Sequence, residues 1–319
     1  MSVAADALQP LLVKELLVLR GRAAFGHFSE IITNAPGAGY DIDFDEATNQ
    51  IRIDFRESAF LGAAIGSDAS RFAGAAFSSF KGLDVHLDDA SSLAWGLVRA
   101  YYSAFYAGHA LIRLLGRTCT QIESSHLNRI KNIANALGKP VNSSVSAGLF
   151  VCELNPTQTG FEMRQARGRV GGAHEAFWEV FDGFVSEITE DVLRGRIAPA
   201  DARAVFLKLD SFRKITKRAS GASWLSTVRN EIQYRHARGV WAPSVLKRRE
   251  RGVLSRTAAQ WKRDPMTMDI DGPPGGDIGA YVMACTFLTA LCREVLRRVA
   301  DRSSAGVNSF ARFPLRLCD

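Results

Sequence analysis

Three of the six histidines in this chain of 319 residues follow an arginine after four or six intervening positions. Arg20 and Arg22 precede His27, Arg167 and Arg169 precede His174, and Arg229 precedes His236. An imidazole titrates near neutrality and can take or give a proton. A guanidinium is always charged and presents paired N–H donors to an oxyanion. Together the two suit chemistry at a phosphodiester, one moving the proton and the other stabilising charge on the phosphorus oxygens.

Context separates the three pairs. Arg167 to His174 spans Gly168, Gly171 and Gly172, which disfavour a regular helix. The Arg20 to His27 stretch opens the chain. Arg229-Asn-Glu-Ile-Gln-Tyr-Arg-His236 falls on a predicted helix over 222–238, and Asn230 could donate to a phosphate oxygen or orient the histidine. Seven residues along a helix put Arg229 and His236 on one face with ~10.5 Å of rise between them. One phosphodiester is not easily gripped by both from a single helix. An antiparallel copy of that helix would bring one subunit's arginine near the other's histidine, a composite site on a two-fold axis. Tyr234, Arg235 and Arg238 lie in or beside the motif, and Lys247, Arg248 and Arg249 begin a basic run soon after it. These are candidates to contact an RNA backbone, and an ordinary charged surface accounts for the basic run equally well.

Positioning such groups calls for long helices. Hydrophobic residues make up 47% of the chain and charged residues 23%, a globular balance. Residues 8–33 read as one amphipathic helix, with Leu11, Leu12, Leu16, Leu17 and Leu19 near helical spacing and Pro10 near the start. Asn34-Ala-Pro-Gly-Ala-Gly39 breaks it. Tyr40-Asp-Ile-Asp-Phe44 and Gln50-Ile-Arg-Ile-Asp-Phe55 then alternate apolar with charged around a run of turn formers, the one strong β-hairpin signal. Residues 58–83 are rich in Ala, Gly and Ser and ambiguous. From Asp89, read as an N-cap, the chain turns helical. Leu93 to Leu115 is apolar around most of its circumference, as a central bundle helix would be, and Gly116 suits the position after its end. Further helices are expected at 125–137, 173–194, 199–218, 222–238 and 276–301. Residues 139–172 read as a long connection or insertion and 263–276 as a loop. The expected fold is mainly α: a helix-plus-hairpin region over 1–87, a helical bundle over 88–302 and a tail over 303–319.

Two of these segments together resemble the HEPN superfamily of ribonucleases. Arg99-Ala-Tyr-Tyr-Ser-Ala-Phe-Tyr-Ala-Gly-His-Ala-Leu111 is similar to the long helix of HEPN domains with its Tyr-Tyr-x-x-Phe-Tyr-Ala pattern. Arg229 to His236 is similar to that family's signature of an arginine, a polar residue and a histidine after four to six positions. The resemblance spans at most 88–301 and leaves the hairpin region unexplained. It implies a HEPN-like bundle and an endoribonuclease with Arg229, Asn230 and His236 as catalytic residues, acting as a homodimer or higher oligomer without a cofactor. The RNA's own 2′-OH would attack phosphorus, leaving a 2′,3′-cyclic phosphate and a 5′-OH, so neither a metal nor a DNA substrate is called for. The resemblance also implies a bacterial toxin or antiviral defence role, with a regulatory or antitoxin partner. Two other readings stand beside it: a non-catalytic helical module that binds RNA or protein, and a DNA-binding regulator.

The remaining signals read as structure. His109, Tyr101, Tyr102, Phe105 and Tyr106 suit bundle packing. Asp41, Asp43, Asp45 and Glu46 suit the solvent face of a hairpin rather than a metal site. The five cysteines are odd in number and lack CxxC spacing, so neither a disulfide framework nor a zinc site is expected. The net charge of +7 favours polyanionic partners. With no secretory pattern at the N-terminus and no uninterrupted apolar run of ~20 residues, no membrane association is expected and a cytoplasmic location is.

Overall fold

The structure, a computed structural model, describes residues 2–21, 27–34, 39–166, 172–195, 197–218 and 221–318. It is mostly helical with one five-stranded antiparallel sheet. The helices are α1 (Val3–Leu8), α2 (Ile31–Asn34), α3 (Ser58–Phe80), α4 (Leu83–Asp88), α5 (Leu93–Leu114), α6 (Ser124–Ala136), α7 (Ala173–Arg194), α8 (Pro199–Thr216), α9 (Trp224–Gln233), α10 (Arg248–Ala258), α11 (Gly276–Arg302) and α12 (Arg312–Leu315). The strands are β1 (Tyr40–Asp45), β2 (Gln50–Phe55), β3 (Arg117–Ile122), β4 (Gly148–Leu154) and β5 (Gly160–Gln165).

Helices α5 and α11 form the centre. Both are apolar around their circumference because both are packed on nearly every side. α5 lies against α3, α4, α9 and α11, and α11 also against α1, α8 and α10. Ser103 Oγ of α5 donates to the Ala76 carbonyl of α3 at 2.8 Å and meets Thr289 Oγ1 of α11 at 3.0 Å, which ties the three helices together. α11 is long and apolar enough by composition to cross a membrane, and its apolar stretch is wholly buried. Its uncharged run between Asp277 and Arg293 is shorter than the ~20 residues of a span, as expected.

The ambiguous Ala/Gly/Ser-rich stretch is the long helix α3. Small side chains weaken its hydrophobic signal, and close packing is their use. Ala64, Ala69, Ala73 and Ala76 are fully buried against neighbours. A Cβ on Gly62 would stand 2.4 Å from Glu15 Cβ, so the N-terminal segment crosses α3 only because that position is bare.

That segment is not the continuous helix expected over 8–33. α1 ends at Leu8, and single 3₁₀ turns follow at Gln9–Leu11 and Lys14–Leu17, separated by extended Leu12 and Val13. Pro10 breaks the ladder, and the Val13 N–H is satisfied by the Leu114 carbonyl at the end of α5 (3.0 Å). The leucine spacing is met by core contacts from a non-helical chain, tertiary packing overriding propensity. Residues 22–26 of that expectation lie outside the described residues.

The expected hairpin is present, with Tyr40 opposite Phe55 and Asp45 opposite Gln50. It is not isolated. The sheet order is β1-β2-β5-β4-β3, so one sheet and one core span residue 87, where the sequence reading divides the chain. β4 and β5 occupy the stretch read as an insertion. Asn155-Pro156 opens the turn between them: Asn155 Oδ1 accepts from the Thr159 N–H at 3.0 Å. The sheet buries Ile42, Ile51, Ile53, Phe55, Phe150 and Phe161 and turns Asp41, Asp43 and Asp45 to solvent. Gly116, at φ +85°, reverses the chain from α5 into β3. Asp89 does not cap α5; it ends α4 and accepts from the Ser91 N–H in the turn before Leu93. The basic run forms α10, and Glu250 caps its start by accepting from the Lys247 N–H at 2.7 Å.

Candidate functional site

α9 is a ten-residue helix with two unlike faces. Trp224, Leu225, Val228 and Ile232 recur at helical spacing and are buried in the core. Ser226, Arg229 and Gln233 fall at i, i+3 and i+7 on another face. Ser226 Oγ, Arg229 Nε and Gln233 Oε1 are all buried without a hydrogen-bond partner among the described residues. One helix face thus gathers three polar atoms whose burial is uncompensated, each the kind of group that costs free energy unless something binds it.

Arg229 is the centre of this face. Its side chain is 5% exposed. The guanidinium carbon lies 5.0 Å from the Tyr101 ring, 5.8 Å from Tyr102 and 5.7 Å from Tyr234. Nη1 approaches the Tyr234 hydroxyl at 3.5 Å. Among the described residues two other arginines are equally buried, and each has a carboxylate: Arg113 meets Asp68 at 2.9 Å, and Arg293 pairs with Glu294. Arg229 has none. The large cavity between α1, α11 and α12, about 790 Å³, is also rich in arginine. There Arg298 pairs with Asp6, Arg297 with Glu294 and Arg312 with Asp301. A buried cation with only aromatic faces and hydroxyls around it is a place for an anion.

A histidine stands beside it that sequence reasoning set aside. His174, in the first turn of α7, has Nδ1 2.9 Å from the Tyr101 hydroxyl. Trp178 Nε1 donates to that hydroxyl at 3.1 Å, and the Tyr101 proton is free to point at His174. A neutral imidazole accepting at Nδ1 carries its proton on Nε2. Burial first, and the Arg229 charge second, push the His174 imidazole down to about 4, so it is neutral at pH 7. Burial raises Tyr101, against the pull of Trp178, Ser226 and Arg229. No sequence signal joins His174 to Arg229. The fold brings them together through α5, and Arg167 and Arg169, the arginines spaced before His174, lie outside the described residues.

The helix expected over 222–238 ends at Gln233. The Tyr234 N–H bonds the Asn230 carbonyl at 2.9 Å, and His236 and Arg238 then take φ +49° and +70°. Arg238 folds back onto Glu231 at 2.6 Å and reaches Asp277 at 3.4 Å, which closes the turn. The two-turn spacing of Arg229 and His236 along one helix is therefore absent. His236 is exposed and stacks on Trp241 at 5.0 Å, and among the described residues no hydrogen bond or ring contact joins it to Arg229. Asn230 is half-buried, while Tyr234 and Arg235 are exposed. Arg238, a candidate backbone contact, is engaged by carboxylates. Lys247, Arg248 and Arg249 are exposed at the start of α10, and no ion pair holds them among the described residues. Leu246 and Glu250 of that segment line one cavity with Arg238.

The other signals fall into the core. His109 is sandwiched between Phe72 (4.7 Å) and Phe177 (3.8 Å) and accepts from Arg113 at 3.1 Å; burial holds it well below the usual imidazole range. Tyr101, Phe105, His109 and Arg113 form one i+4 ridge of α5. All five cysteines are buried thiols, raised by burial where a shift is resolved. Among the described residues no three His, Cys, Asp or Glu side chains stand together as a metal site. No protein-family profile matches the chain, and neither a curated protein nor a solved structure shows significant similarity to it.

Proposed function

We propose that this chain is a metal-independent endoribonuclease of the HEPN type, with Arg229 as the group that holds the scissile phosphate. The observation that carries the reading is the buried guanidinium with no carboxylate, on a helix face whose Ser226 and Gln233 also lack partners. A phosphodiester would supply the missing charge and acceptors for Arg229 Nε and the Ser226 hydroxyl, and Gln233 Oε1, itself an acceptor, would take a donor such as a ribose hydroxyl. In the reaction the 2′ oxygen bonds to phosphorus, its proton passes to an imidazole, and the bond to the 5′ oxygen breaks as that oxygen gains a proton. Arg229 stabilises the added charge on the phosphoryl oxygens.

The imidazole is where the reading branches. His236 does not face Arg229 within the chain, so its use requires a second copy in which the partner's motif completes the site. The test is total-RNA cleavage by the purified protein with EDTA present, beside Arg229→Ala and His236→Ala, with growth toxicity on expression compared in parallel. Loss of Arg229 is expected to slow cleavage about 10²–10³-fold, the effect of removing one oxyanion donor. RNA left equally intact by all three proteins, with no difference in toxicity, would overturn the reading. The exposed position of His236, stacked on Trp241, favours a second reading: a module that binds RNA without cutting it, for which RNA binding would depend on Arg229 and cleavage would be absent.

A further inference from the structure

We infer that the surface beside Arg229 is a stacking platform for unpaired bases, so that the RNA taken by this site is single-stranded. The inference rests on the proposal that Arg229 holds a phosphate.

Three segments build the platform. Trp95, in the first turn of α5, is 54% exposed. Trp241, after α9, is pinned by its Nε1, which donates to the Ile232 carbonyl at the end of that helix (2.7 Å). The two indoles meet edge to face at 5.4 Å. His236 lies nearly parallel to Trp241 at 5.0 Å and is itself open to solvent. Tyr234, 66% exposed, continues the surface to the guanidinium, which its ring approaches at 5.7 Å. Among the described residues the exposed aromatics are Trp95, Tyr234 and Phe313, and Tyr234 stands against the one buried arginine without a carboxylate.

The spacing fits a strand that runs along α5. Trp95 and Tyr102 are seven residues apart on that helix, so they share a face with ~10.5 Å of rise between them. Tyr102 is a wall of the Arg229 site. A phosphate held at Arg229 thus leaves the bases of adjoining nucleotides free to lie over Tyr234, His236 and Trp95. Only unstacked bases can use such faces, because a duplex keeps its bases stacked on one another. Arg235, exposed between Tyr234 and His236, adds charge for the backbone without base preference. This gives the motif histidine a task that its distance from the guanidinium does not prevent. In this reading His236 is part of the floor on which a base rests.

The experiment is fluorescence anisotropy with the full chain and an end-labelled RNA in which every 2′-OH is methylated, so that binding is read without cleavage. The oligonucleotide is offered single-stranded and as a perfect duplex, to the wild type and to Trp95→Ala, Trp95→Phe, Tyr234→Ala and Arg229→Gln, each checked for its fold by circular dichroism. The wild type is expected to favour the single strand. Trp95→Ala is expected to weaken single-strand binding about tenfold, as the loss of one stacked base does, while Trp95→Phe keeps most of it. Single strand bound equally by the wild type, Trp95→Ala and Tyr234→Ala would overturn the platform. If Arg229→Gln still weakened binding in that case, the phosphate reading would survive it. A wild type that binds neither single strand nor duplex would overturn both.

Discussion

Replacing Arg229 by glutamine should move the titration of a histidine on another helix. Arg229 and His174 share a wall in Tyr101: the guanidinium carbon is 5.0 Å from that ring and the His174 ring centre 5.7 Å from it. The two groups therefore lie within roughly 11 Å, where a charge pair at an effective dielectric of ~20 interacts by about 1.5 kcal/mol, or about one pKa unit. His174 is partly exposed, and solvent screening trims this to about half a unit to one unit. Arg229→Gln should thus raise His174 from about 4 toward 5 and no further, because burial, the larger cause of its depression, is untouched. The assay is NMR titration of the imidazole Cε1 protons, with His174→Asn to assign the signal. An unchanged value would mean that the guanidinium is not coupled to this ring. A return to the ordinary value near 6.5 would mean that charge, not burial, sets it.

Acid should weaken the fold through the same residue and through His109. Both are depressed in the folded state, so between about pH 6.5 and 4 the unfolded chain binds more protons, and stability falls as pH falls. Urea unfolding across that range should show the loss, with a shallower slope for His174→Gln. Asp68→Asn would leave Arg113, 1% exposed, without its carboxylate and should cost about 3–5 kcal/mol in the same assay, whereas replacing both partners by apolar residues of similar volume should cost far less. Two glycines of α3 should respond oppositely to alanine. Gly62→Ala meets Glu15 Cβ and should destabilise by about 1–3 kcal/mol. Gly74→Ala has room and should stabilise by about 0.5–1 kcal/mol. Thermal melts of the pair would show the difference.

What the sequence declared was local. α5, α7 and α11 carry long periodic runs and lie where the pattern puts them, and the β1–β2 hairpin has alternation around a turn. What it hid was set by partners far along the chain. β4, Gly148-Leu-Phe-Val-Cys-Glu-Leu154, is too short an apolar run to reveal its period without β3 and β5 beside it. The leucines of 11–19 kept helical spacing but fit a chain draped over Gly62 and Gly66. The site divides the same way. Arg229 was legible from its motif. Its burial, its want of a carboxylate and the approach of His174 arise from the packing of α9 and α7 on α5, which no spacing encodes. His236 was legible as a motif position, yet Glu231 and Arg238 turn the chain before it is reached.

The central position of α11 also orders events in time. Its Tyr281 hydroxyl donates to the Leu97 carbonyl of α5, its ring lies edge-on to Trp224 of α9 at 6.3 Å, and Thr289 meets Ser103. The seat of α9 on α5 is therefore unfinished until α11 has been made. At ~5–20 residues per second, synthesis takes several seconds to pass from Gln233 to Arg302. Through that interval Arg229 exists as a residue but not as a site. If the chain acts on RNA as proposed, this order of synthesis delays the proposed site until the core around it has closed.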